Sequence, residues 1–137
     1  MSRLSIWSKS NLILSGLILI VAFLAPILLE KFSYSAKRLE VESVVKNIAE
    51  NQSEHYALNN QYISLKRSEQ QLLTKKFNKI GKDDLNYYNY SVSTEINSFK
   101  ILAEPKAKFL KTRELFPQVY TYKHVLKGSS NGSWSQY

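Results

Sequence analysis

Leu12–Leu29 reads LILSGLILIVAFLAPILL, eighteen residues without a charged side chain. As a helix rising about 1.5 Å per residue, the run covers roughly 27 Å, close to the hydrocarbon core of a bilayer. Polar residues bracket it, Lys9-Ser10-Asn11 before and Glu30-Lys31 after. A cleaved secretory signal has a shorter apolar region with small residues close behind it. The nearest small residues here, Ser33, Ser35 and Ala36, lie beyond Glu30-Lys31-Phe32. A buried core helix would need apolar cover on every face, and the rest of the chain is too polar to supply it. The run therefore reads as one transmembrane helix, bounded by Leu12 and Leu29, with residues 1–11 as a short N-terminal segment and 30–137 as a head domain. Gly16 and Pro26 are its two special positions. Proline removes a backbone donor and bends a helix, although prolines are also common in membrane helices.

Beyond the span the helical pattern persists. Val41, Val45, Ile48, Gln52 and Tyr56, with Leu39 and Val44 alongside, recur three or four apart and form one stripe. No Gly or Pro interrupts residues 27–59, so a single helix is expected to run from the membrane to about residue 59, where Asn59-Asn60-Gln61 ends it. Residues 65–80 are expected to form a short helix or structured loop, with Leu72, Leu73, Phe77 and Ile80 at helical spacing and Gly81 as a C-terminal cap.

From Leu85 the period changes to two. Tyr88, Tyr90 and Val92 alternate with polar residues, Glu95 to Ser98 reads as a turn, and Phe99 to Ala103 returns as the partner strand before Glu104-Pro105. Val119 to Val125 reads as a third strand, followed by a Gly/Ser-rich tail containing Trp134. The expected fold class is α+β, a long helix whose stripe packs on a small antiparallel sheet. The expected contacts are Val41, Val45, Ile48 and Tyr56 against Tyr90, Val92, Phe99 and Ile101.

At this point the chain resembles a type IV pilin or pseudopilin. The residues that carry the likeness are Pro26 in the anchor, Ser35-Ala36-Lys37 beyond it, the helix end from Val41 to Tyr62, and the Tyr87-to-Ala103 hairpin. Tyr56, Asn60 and Tyr62 stand where that family has a tyrosine, an Asn or Gly, and a tyrosine. The resemblance implies a non-enzymatic subunit of a pilus or of a type II secretion-like apparatus. It would be anchored in a bacterial inner membrane, with residues 1–11 as a cytoplasmic segment, its head on the periplasmic or extracellular side and protein partners meeting its N-terminal helix in an oligomeric assembly. One departure is clear. The family is processed after a glycine within a Gly-Phe-Thr-Leu-x-Glu-like motif, whereas Gly16 is followed by Leu17-Ile18-Leu19-Ile20-Val21. A small single-pass accessory subunit of a membrane complex is thus an open alternative. Side of membrane is also contested: counting Lys and Arg near the span slightly favours a cytoplasmic head, opposite to what the resemblance implies.

The net charge of +8 is concentrated in two stretches, and Lys75, Lys76, Lys79, Lys82, Lys106, Lys108 and Lys111 form the candidate patch for an acidic partner. Nucleic acid is the further alternative, with lysines holding phosphates while some of the nine tyrosines stack bases, as in a DNA-binding minor pilin. Tyrosines equally suit a half-buried sheet without any ligand. There is no cysteine, which excludes disulfides, thiolate metal sites and cysteine catalysis. His55 and His124 lie apart without a metal-ligand spacing, Asp83-Asp84 reads as a turn, and the four glycines form no phosphate-cradling loop. No serine has a nucleophile-elbow context. The chain is expected to be non-enzymatic, with no cofactor and no metal.

Overall fold

A computed structural model describes residues 2–107 and 118–136. The chain divides into two units, Met1–Ser35 and Ala36–Tyr137. Helix α1 spans Ser2–Asn59 with Pro26 inside it, so it begins ten residues earlier than the apolar run. It ends where the sequence suggests. Asn60 adopts a left-handed φ of 53°, and its N–H donates to Tyr56 C=O at 2.8 Å, closing the helix with an αL cap. Asparagine tolerates that conformation because its short polar side chain bonds locally.

In the second unit the stripe of α1 is the core. Val41, Val44, Val45, Ile48 and Ala49 are buried, and each fully buried aliphatic side chain contributes about 1.5–3 kcal/mol of transfer free energy. Leu39 departs from the expected stripe and is exposed. Gln52 continues the stripe as a polar residue at full burial. It is tolerated there because Ile63 N–H donates to its Oε1 (2.6 Å) and its Nε2 donates to Ile63 C=O (2.5 Å). Asn51 grips the backbone of Asn78 in the same manner, at 2.9 and 3.1 Å. Two neighbouring amides on the helix thus fasten the chain that follows it.

That following chain contains a short 3₁₀ turn (Arg67–Glu69), helix α2 (Gln70–Lys76) and a second 3₁₀ turn (Asp83–Leu85). Leu73, Phe77 and Ile80 are buried, as their spacing suggests. Gly81 does not cap α2. The helix stops at Lys76, with Phe77 N–H bonded to Leu73 C=O, and Lys79 takes the left-handed turn at φ 65°. Gly81 instead donates its N–H to Asp84 Oδ2 at 2.7 Å.

The sheet has four antiparallel strands in the order β1-β2-β3-β4: β1 Tyr88–Thr94, β2 Ser98–Pro105, β3 Gln118–Val125 and β4 Asn131–Gln136. The last of these lies in what the sequence presents as a Gly/Ser-rich tail. Register places Tyr90, Ala103, Tyr120 and Trp134 in one row across the sheet and Val92, Ile101, Tyr122 and Gly132 in the next. Because side chains alternate, both rows share one face, whose Tyr90, Val92, Phe99, Ile101 and Ala103 join the α1 stripe in a single core. Tyr56 is half-buried and stacks on Tyr62 with ring centroids 4.5 Å apart.

Candidate functional site

Ser8–Leu29 is long and apolar enough to cross a membrane, and none of it is buried within the structure. A span and a signal sequence both have this character. Leu12 and Leu29 are exposed, Gly16 has nothing within 4 Å of where a side chain would begin, and Ser15 Oγ donates back to Leu12 C=O at 3.0 Å. That internal bond satisfies the one side-chain hydroxyl donor between Leu12 and Leu29.

In the second unit a groove of about 530 Å³ lies between the exposed flank of the α1 stripe and strand β3. Its floor is aromatic, built from Phe99, Tyr120, Tyr122 and His124, and Glu42, Lys46 and Glu50 stand along its helical wall. The groove exists because the inward-facing Tyr90, Val92, Phe99, Ile101 and Ala103 of β1 and β2 are buried while Tyr120 and Tyr122, one strand further out, are only half-buried. Phe99 stacks on His124 at 4.9 Å and meets Tyr62 edge-on at the same distance. Burial, and then the negative charge of Glu42, holds the Tyr120 hydroxyl above its ordinary titration range.

One end of the groove is anchored by Trp134. Its Nε1–H donates to Glu42 Oε1 at 2.7 Å, the Arg38 guanidinium lies 4.7 Å over its ring, and its ring centroid is 5.0 Å from that of Tyr120. At the other end His124 Nδ1 is 2.6 Å from Ser130 Oγ. A hydroxyl beside an imidazole is the first half of a nucleophile–base pair. Among the described residues, however, no carboxylate bonds the other ring nitrogen to orient it. Nor do three His, Asp or Glu side chains gather among the described residues as a metal site would need. What this arrangement offers is an aromatic surface with charged banks.

The candidate lysines among the described residues do not line this groove. Lys75 and Lys76 close α2, Lys79 and Lys82 belong to the loop after it, and Lys106 follows β2, its N–H bonded to Tyr87 C=O at 2.9 Å. Lys76 Nζ is engaged by Ser64 C=O at 3.1 Å and by Glu69 at 3.8 Å. Lys108 and Lys111 lie outside the described residues. Sequence reasoning located strand β3 but did not single out Glu42, Tyr120, Tyr122 or Trp134. The alternation of Tyr120, Tyr122 and His124 was a readable signal; which of them the helix would leave uncovered was not.

Compared with known proteins, the chain matches no family model, no curated protein and no solved structure.

Proposed function

We propose that this chain is a non-enzymatic, membrane-anchored structural or interaction subunit with a pilin-like head, serving in a pilus or a type II secretion-like apparatus. The observation that carries the reading is that one helix, α1, supplies both an entirely exposed apolar stretch and, further on, the stripe on which a four-stranded antiparallel sheet packs. Apolar side chains exposed over Ser8–Leu29 are stable only against lipid or against other apolar helices, and an anchored assembly subunit meets both. The head lies on the periplasmic or extracellular side of a bacterial inner membrane, with residues 1–11 retained in the cytoplasm.

The missing processing motif around Gly16 supports a second reading, a small accessory subunit whose anchor docks between the helices of a fixed membrane complex. Two measurements test these readings. Intact mass of the membrane-extracted chain is expected at 15.8 kDa, the value for the unprocessed sequence. A mass beginning at Leu17 would instead mean cleavage after Gly16, and one beginning near Ala36 would overturn the anchor. Recovery in sheared surface filaments supports the pilus reading, whereas co-purification with a membrane complex at fixed stoichiometry supports the accessory subunit.

A further inference from the structure

Strands β1 to β4 set one row of polar side chains across the outer face of the sheet, the face turned away from α1. Register places Ser93 opposite Lys100, Lys100 opposite Lys123, and Lys123 opposite Asn131. The sequence neighbours Val92, Phe99 and Ile101 are buried in the core, so alternation directs Ser93, Lys100 and the residues in register with them outward.

The Lys100–Lys123 pair breaks a local rule. Side chains directly opposite on neighbouring strands have Cβ atoms about 4.5–5.5 Å apart, and like charges in that relation destabilise a sheet. Both lysines are exposed, and among the described residues neither forms an ion pair. By contrast Glu104, on the same face, is paired with Arg67 at 3.2 Å. Local rules are broken without compensation mainly where a sequence serves function rather than stability.

The pair also borders a pocket. Its volume is about 380 Å³, and its lining includes Ser93, Glu95, Ser98, Lys100, Lys123 and Val125. Glu95 is its one carboxylate, and Oε2 of that side chain accepts from Ser98 Oγ at 3.1 Å. Two ammonium groups against one carboxylate leave the pocket positive. Ser93 Oγ lies 3.5 Å from Lys100 C=O, at the outer limit of a hydrogen bond, so a nearer acceptor would displace that contact.

We propose that Lys100 and Lys123 form an oxyanion site that binds a phosphate group, with Ser93 Oγ as a third donor. Charge selects the ligand, because an anion between the two ammonium groups turns their repulsion into a shared attraction. Phosphate suits three donors because it offers three strong acceptor oxygens, whereas a carboxylate offers two. The chemistry is the same for free phosphate and for a phospholipid headgroup. Strand register and the pocket alone support the site, so it does not depend on the pilin-like reading.

The test holds the full chain in dodecyl maltoside, a detergent without phosphate, while inorganic phosphate replaces sodium chloride at constant ionic strength. The backbone amide shifts of Lys100 and Lys123 are expected to move saturably. Lys100→Gln/Lys123→Gln should weaken that binding by about tenfold or more. Without phosphate its thermal midpoint should hold or rise, because the repulsion between like charges is gone. Lys75→Gln/Lys79→Gln should bind phosphate as the parent chain does. Glycerophosphoglycerol, the soluble headgroup of phosphatidylglycerol, is titrated in parallel. Tighter binding of inorganic phosphate identifies the free ion as the ligand, and tighter binding of the diester identifies the headgroup. No saturable movement with either, or movement that survives in Lys100→Gln/Lys123→Gln, overturns the proposal. So does an equal loss in Lys75→Gln/Lys79→Gln, which would mean attraction to net charge alone. A fall in the midpoint of Lys100→Gln/Lys123→Gln would make the pair structural and overturn it as well.

Discussion

Residues 12–29 and 41–52 belong to one helix and are both rich in aliphatic side chains, yet they treat them in opposite ways. Leu12 and Ile13 are 70% exposed, whereas Val45 and Ile48 are at 1% and 0%. The same backbone hydrogen bonding serves both, so secondary structure cannot be the cause. The difference lies in what each stretch has to pack against. Residues 41–52 alternate apolar and polar positions and meet the sheet. Residues 12–29 carry apolar side chains around the whole helix, and nothing among the described residues buries them. Helix formation is indifferent to this; burial is not.

The comparison can be broken or sharpened by substitution, with the full chain held in detergent. The largest effect is expected in the second stretch. Truncating Ile48 or, across the core from it, Phe99 to alanine should cost about 2–5 kcal/mol and lower the melting midpoint of the head. If either leaves it untouched, the helix–sheet packing is wrong. Within the first stretch, Ile20→Arg should cost about 2.5–3.5 kcal/mol of membrane insertion, read as loss from the carbonate-resistant membrane fraction. The head should melt as before, and a parallel fall in its midpoint would mean that the two stretches are not energetically separate.

A smaller loss is expected from Gln52→Ala. It strands the N–H and C=O of Ile63 after removing their buried partner, at about 1–3 kcal/mol. Hydrogen exchange at Ile63 should accelerate more than at Val45; equal acceleration would mean that the clamp is not local. The smallest effect concerns Glu40. Burial and the charge of Asp84 raise its carboxyl above the ordinary range, partly opposed by Lys37. Folding therefore disfavours its ionised form, a cost absent when both states are protonated and setting in as pH rises through the raised value. Glu40→Gln should raise the midpoint slightly at about pH 7 and leave it unchanged at about pH 3. An equal shift at both pH values would assign the effect to packing instead.

Much of this fold was legible because it is written in local period and turn chemistry. The apolar run, the helix stop at Asn59-Asn60 and the β1–β2 hairpin about Glu95–Ser98 each follow from residues within a few positions of one another. Strand β4 was not legible. Asn131–Gln136 holds no β-branched residue, and it is a strand because β3 pairs with it and because Trp134 finds Glu42, ninety-two positions earlier. Gly81 misled for a related reason: a glycine near a helix end suggests a cap, but the Phe77 side chain is drawn into the core and stops α2 four residues sooner. Leu39 fitted the stripe by spacing and is exposed.

The candidate groove shows the same division. Each of its strands or helices was readable, but its walls come from residues 42–53 and 99–130 and meet only after the sheet has docked. The clustering of the lysines singled out by charge was a property of the sequence, and the described ones lie on the last turn of α2, the loop after it and just past the end of β2.

By itself, then, the sequence determined that this chain has an apolar helix able to cross a membrane, an amphipathic continuation and an α+β head. Those properties depend on the order of polar and apolar residues along a few turns or a few strand positions. Tertiary structure alone decided that the tail is a strand, that Gln52 on the stripe finds both its partners on Ile63 and that the β3 aromatic row stays half-buried. Each of those outcomes depends on a partner distant in the chain, and hydrogen bonding and burial count only once both partners are in place.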